Sequence, residues 1–585
     1  MAQQLEESHN IGSMRRQLRQ AQGSEPADLV LKNCRVVNVF SREILEADVA
    51  LTGERICGVG QYRGKEEIDC ENMFVAPGFI EGHVHIESSM LGPRQFAAAV
   101  IRHGTTSVVC DPHELANVAG MEGVQYFLDQ SEGLDVAIYL MAPSCVPATH
   151  LETSGAELAA AEIGELLTHP RVLGLAEMMN FPGVVGGVPA VLEKIQAGSG
   201  LVIDGHAPGL SGPQLQAYVG CDIGSDHECS TADEAREKLR AGMRIFIREG
   251  SSAKNLEDLV GVVNQSTSHR CLLVTDDCHP GELSREGHLD RIVRKAVRLG
   301  LDPLIAIQMV TIQVAQYFNI RSKGAVAPGF VGDLVLFDDL EDLRPRWVFA
   351  GGRQVVGGSE EDGGGLGKEE AAPVESGHRV LRSVNCRMVK KPFEIKARPG
   401  RIRCIGLLED QLLTEELHLD PTIYDDQVVA DPDRDLLKLA VVERHHGSGN
   451  VGLGFVRGFG IGRGALASTV GHDSHNIMVM GADDGEMEIA LSALIEMNGG
   501  LVVVRDQVVT ASLPLDIGGL MSSLPVEQVV AQHESLLGAA SQLGAAIADP
   551  FMMMSFLALP VIPQLKLTDR GLVDVDRFEH VDLWL

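Results

Sequence analysis

Between residues 77 and 277 the chain passes through eight short apolar segments, and nearly every one ends on a polar, often ionisable, side chain. Phe79 to His85 carries both His83 and His85. Thr105 to Cys110 is followed by Asp111, and Asp135 to Ala142 by Pro143 and Ser144. Arg171 to Ala176 leads into Glu177, and Leu201 to Gly205 into His206. The stretch to Asp226 leads into His227 and Glu228, Arg244 to Arg248 into Glu249, and Cys271 to Thr275 into Asp276 and Asp277. Continuous apolar runs of this kind are parallel strands covered on both faces. Helical stretches fill the gaps. Met90 to His103 is one, stopped by Gly104. Another opens at Thr231 with Glu234 three residues on, and a third opens at Asp302-Pro303. Eight such units over about 240 residues predict an α/β fold, a TIM (β/α)8 barrel, whose site lies where the strands' carboxyl ends converge.

Flanking segments extend this plan. Residues 1–27 read as an N-terminal extension. Residues 28–76, whose short strands read as antiparallel, and 324–356, with further short strands, predict one small β-domain split across the barrel at 77–323. Residues 357–379, rich in Gly, Glu and Asp, read as a flexible linker, and 380–585 as a separate α/β or α+β domain with a Gly-rich loop from Gly447 to Gly464. Forty-nine basic against 81 acidic residues leave a net charge of −32, which argues against nucleic acid and anionic membranes as partners. No run approaches the roughly 18 apolar residues of a membrane span. Eleven scattered cysteines without a Cys-x-x-Cys pair read as reduced thiols of a cytoplasmic protein.

Residues two apart on a strand share a face, so His83 and His85 point the same way. Singly, each polar strand end is explained by ordinary hydrogen bonding. Jointly, His83, His85, Glu177, His206, His227 and Asp276 occupy strand ends in barrel order and predict a site for two divalent metals. Nitrogen and oxygen ligation without thiolate suits manganese, iron(II) or zinc.

The same residues resemble the amidohydrolase superfamily and, within it, the bacterial adenine deaminases. Pro77 to Met90, Cys110 to Val118, Gly174 to Asn180 and Val274 to Pro280 carry the likeness in the barrel, and Arg444 to Asn450 and Gly471 to Asn476 carry it in the C-terminal domain. Many superfamily members bridge their metals with a carboxylated lysine from strand four. Here Glu177 supplies the carboxylate directly. The resemblance implies manganese or iron, a homo-oligomer such as a dimer, and hydrolysis of adenine to hypoxanthine and ammonia through attack of activated water at C6. On this reading Asp276 contacts a metal and moves the proton from water to the leaving amine, with its neighbour Asp277 the competing assignment. Glu114, beside His113 at the end of strand two, is the candidate for protonating the ring; a plain helix start explains that stretch equally well. Glu87, Ser88, Ser89, His113, Arg248, Glu249 and Asp277 are candidates for lining the purine pocket. His472, Asp473, His475 and Asn476 are either a lid or a loop that satisfies its own backbone. Two rival readings remain: a cyclic-amide hydrolase of the hydantoinase or dihydroorotase type, and a non-catalytic metal-binding scaffold.

Overall fold

The computed structural model of the protein describes residues 11–251, 253–357, 379–408, 411 and 413–585. Most of the expected linker, 358–378, and the first ten residues of the expected N-terminal extension lie outside the described residues.

The barrel strands are β1 (Phe79–Val84), β2 (Thr105–Cys110), β3 (Ala137–Ala142), β4 (Val172–Met178), β5 (Val202–Gly205), β6 (Ser225–Asp226), β7 (Arg244–Arg248) and β8 (Cys271–Val274). β1 to β5 form one parallel sheet and β6 to β8 another. Two backbone bonds bring the edges together. Gly224 N donates to Ile203 O at 2.9 Å across the first seam, and Asp276 N donates to His83 O at 3.0 Å across the second. The barrel is a packed core, not a pore, because Ile80, Val109, Met141, Ala176, Phe246, Leu272 and Val274 fill it.

Local chemistry sets the helix ends. The helix expected over Met90 to His103 runs from Pro93 to Ile101, with Pro93 in the first turn, where its missing N–H costs nothing. Before it, Ile86–Ser89 forms a 3-10 turn that ends on Met90 in the left-handed region at φ 58°. Thr231 caps Ala232–Ala241 by accepting from Glu234 N, and Asp302 caps Pro303–Met309.

The flanking sheet is mixed, not purely antiparallel. Phe74–Pro77 runs parallel to Ala27–Asn38 on one side and antiparallel to Leu334–Phe337 on the other. It therefore joins chain from before and after the barrel in one sheet.

The C-terminal part is of the α+β kind, with one eight-stranded and mainly antiparallel sheet. The helix Asp484–Glu496 packs its Met487, Ala490, Leu491 and Leu494 against that sheet. The Gly-rich run expected as a loop contains a strand, Val451–Arg457, paired with Leu437–Val442. Its glycines serve close packing: a Cβ at Gly452 would lie 1.9 Å from Thr568 O.

This C-terminal unit sits on the barrel's carboxyl face. Ser522 N donates to Met90 O at 2.9 Å. Thr153 donates to Asp569 through N and Oγ1 at 2.9 and 2.7 Å. Among the described residues, no helix is long and apolar enough to cross a membrane, and each of the eleven cysteines is a free thiol.

Candidate active site

The strand ends bring their polar groups into one buried cluster. Glu177, at the end of β4, lies at its centre and divides its two oxygens. Oε1 is 3.2 Å from His85 Nε2. Oε2 is 2.7 Å from His206 Nδ1 and 3.2 Å from His227 Nε2. Asp276 closes the ring of groups, its Oδ1 3.5 Å from His83 Nε2 and 3.4 Å from His85 Nε2. The His83 and His227 rings lie 4.2 Å apart, centre to centre. All of these side chains are buried except His206, which is about one-fifth exposed.

The electrostatics suit a bound cation. Burial alone would push the carboxyl of Glu177 up, yet His227 and His206 hold it well below the usual range. Asp276 behaves likewise, with Arg248 the strongest opposing influence. His83 is driven down by burial and by His227, which favours its neutral form, whereas at His85, His206 and His227 the neighbouring carboxylates outweigh burial and raise the rings. His83 Nε2 is buried without a hydrogen-bond partner and faces the Asp276 carboxylate. An unprotonated ring nitrogen and anionic oxygens at this spacing are what a divalent ion requires. The donor set therefore fits a divalent metal site.

Asp276 is held by its backbone and by a cation. Its φ of 61° puts a non-glycine residue in the left-handed region two residues past the end of β8. Arg248 Nη1 donates to Asp276 Oδ2 at 2.6 Å, while Nη1 and Nη2 grip Glu228 at 2.6 and 2.9 Å. Arg248, expected in the substrate pocket, is thus placed as a clamp between two carboxylates. The Glu249 carboxylate accepts from Lys295 Nζ at 2.7 Å.

The turn after β1 lines the other side. Ser88 Oγ donates to Asp277 and, at 3.3 Å, to Glu114. Glu87 accepts from Leu115 N at 3.1 Å, and burial, followed by Glu114, pushes its carboxyl up to about 8. Ser89 turns back on its own chain and donates to Ile86 O at 2.6 Å.

The C-terminal loop between Ser468 and Ile477 completes the enclosure. His472 Nδ1 lies 3.3 Å from Glu114 Oε1, and His475 Nε2 lies 4.0 Å from Glu114 Oε2. Asp473 Oδ1 is 3.9 Å from His113 Nε2, whose Nδ1 is 3.1 Å from Asp111 Oδ2 and 3.9 Å from Glu177 Oε1. Asn476 points elsewhere. It accepts from Arg444 N at 3.3 Å and donates to Thr153 O at 2.8 Å. Burial raises the carboxyl of Glu114 against the pull of His472 and His113. His472 moves the other way. Burial lowers it, but Glu114 and Asp473 outweigh burial and hold it at about 9.

Two members of the cluster were not singled out from the sequence: Asp111, grouped with His85, His113 and Glu177, and Glu228, grouped with His206 and His227. Both stand at strand ends, which is the signal that marked the others.

Comparison with known proteins agrees with this geometry. Residues 74–358 match the amidohydrolase family, and residues 411–579 match the adenine deaminase C-terminal domain. The chain is 48% identical to an adenine deaminase of Desulfatibacillum aliphaticivorans over 96% of this chain and 98% of that one. It is 47% identical to an adenine deaminase of Dehalococcoides mccartyi over 96% and 97% of the two chains. It is 46% identical to adenine deaminase 2 of Carboxydothermus hydrogenoformans over 97% and 98%. With the barrel, the strand-end cluster and the C-terminal domain all accounted for, the chain belongs to the adenine deaminase family of the amidohydrolase superfamily.

Proposed function

We infer that this protein hydrolyses adenine to hypoxanthine and ammonia. The observation that carries the reading is the position of Glu177. Its two oxygens face different histidines, so one carboxylate would stand between two adjacent cation positions. His83, His85 and Asp276 would hold one ion and His206 and His227 the other, with Glu177 between them. Divalent ions there supply Lewis acidity that makes water a nucleophile at neutral pH. Manganese and iron(II) are the proposed occupants, and zinc fits the same donors.

The protein's own groups then handle the protons. Asp276, kept ionised by Arg248, accepts the proton of the attacking water and returns it to the departing amine. Such transfers contribute roughly 10²–10⁴-fold. Asp276 is preferred to Asp277 because it faces His83 and His85, whereas Asp277 accepts from Ser88. Glu114, whose carboxyl burial favours in the neutral form, donates to the purine ring. Ser88 and His472 orient it from either side. His113 and Asp473 form the wall that keeps bulk water out. The C-terminal loop is therefore assigned as the cover of the site. The closest rival, hydrolysis of a cyclic amide, is disfavoured by this cover and by the direct carboxylate.

Manganese-loaded protein offered adenine, adenosine and guanine side by side tests the reading. Hypoxanthine and ammonia should appear in equal amounts from adenine. Opening of a dihydropyrimidine or hydantoin without hypoxanthine would reverse it. The free thiols fit a cytoplasmic enzyme, the family resemblance suggests a homo-oligomer, and light scattering of the intact protein tests the proposed dimer.

A further inference from the structure

A second histidine–carboxylate cluster lies outside the site described above, where the loop after β8 meets the C-terminal unit. His279 comes from that loop, His533 from the helix Val526–Gln542, and Asp549 from the start of the helix Pro550–Ser555. Asp549 Oδ2 lies 3.3 Å from His279 Nδ1 and 3.6 Å from His533 Nε2. Despite these distances, Asp549 Oδ2 and His533 Nε2 are both buried without a hydrogen-bond partner. His533 is 4% exposed. Two ring nitrogens thus face one carboxylate oxygen without making hydrogen bonds to it.

Hydrogen bonding does not account for the arrangement, whereas a cation does. Ligands about 2.0–2.1 Å from a tetrahedral ion stand about 3.4 Å from one another. The separations here bracket that value. They also match the 3.5 Å between His83 Nε2 and Asp276 Oδ1 in the barrel cluster. The carboxylate is already aimed, because Asp549 Oδ1 accepts from Met552 N at 2.9 Å and leaves Oδ2 turned to the histidines. A ligand oriented by a second hydrogen bond is the usual construction of a metal site. The nearby cation, Arg285, is paired with Glu534 and does not compete for Asp549.

We propose that His279, His533 and Asp549 bind one further divalent ion of the zinc class, which clamps the C-terminal unit to the loop that follows the Asp276–Asp277 pair. Two imidazoles and one carboxylate make a three-ligand zinc set whose fourth position is left to water. The ion's proposed role is to tie the elements that carry its ligands together. Its ligands come from three separate elements, and His279 stands three residues beyond Asp276. The inference does not rest on the activity proposed above.

The test uses the full chain, stripped with a chelator, reloaded with zinc, desalted and assayed for bound metal. His533→Gln and Asp549→Asn are expected each to hold one zinc per chain fewer than wild type, with unchanged circular dichroism. The asparagine keeps the helix cap. Equal zinc content in wild type and both variants overturns the proposal. A second measurement needs no variant: anomalous scattering at the zinc edge from zinc-soaked wild-type crystals. A peak among His279, His533 and Asp549 supports the clamp. An occupied barrel site with no peak there overturns it, whatever the substrate proves to be.

Discussion

The walls of the proposed pocket are built in two different ways. On the barrel side, His83, Glu177, His206, His227 and Asp276 sit at strand ends, and the parallel ladder fixes their spacing. On the C-terminal side, His472, Asp473 and His475 sit on a loop. Its shape comes from buried Arg444, which donates to the carbonyls of His475, Ser383 and Gly518. The charge balance differs too. Against burial, His227 and His206 hold Glu177, and Arg248 holds Asp276, well below their usual range. Glu114, which meets the loop, is pushed upward by burial. A carboxylate held low is suited to bind metal and accept protons, and a carboxyl pushed upward is suited to donate one. On the proposed mechanism the base therefore lies on the barrel and the acid at the junction with the loop.

That division is open to direct attack. Asp276→Asn removes the proposed proton carrier and should lower kcat for adenine by about 10³–10⁴-fold. A loss below tenfold, with metal retained, would move the role to Asp277. Glu114→Gln keeps the shape but cannot donate the same proton, and should cost about 10²–10³-fold in kcat with little change in KM. If KM rises instead while kcat holds, Glu114 binds substrate and does not protonate it.

Arg248→Lys is predicted to act through pH. The Arg248 guanidinium holds the Asp276 carboxyl well below its ordinary value, so the carboxylate persists at low pH. A lysine cannot grip Asp276 and Glu228 together in the same fork. The Asp276 pKa should rise, and the acidic limb of kcat should move to higher pH, with about tenfold loss below neutrality and less above. An unshifted limb would show that Asp276 titrates independently of Arg248. His472→Ala should have the smallest effect, about tenfold or less in kcat/KM. It removes a side chain that stacks on Phe556 at 4.6 Å and faces Glu114. Unaltered kinetics in that variant would reduce the loop to a bystander.

The barrel side was readable before any coordinates because it repeats. Each strand reaches its end after a few apolar residues, and a polar residue there has one place to go. Thr231 and Asp302 as helix caps were legible for the same local reason. The Gly-rich strand Val451–Arg457 was not, since its glycines answer to Thr568, more than a hundred residues away. Nor was the role of Arg248, which depends on Glu228 and Asp276 approaching from neighbouring strands. The histidines of the C-terminal loop stood out by composition. Their meeting with Glu114, more than 350 residues earlier, is set by how two units dock, and local pattern does not encode that.

The proposed chemistry turns on Glu177, whose two oxygens face different histidines. The direct measurement is made on Glu177→Gln, with bound metal and hypoxanthine formation from adenine determined on the same manganese-loaded sample beside wild type. The account predicts that the variant loses metal from the barrel site and forms no hypoxanthine above background while its circular dichroism is unchanged. A variant that keeps the wild-type metal complement and turnover would contradict it.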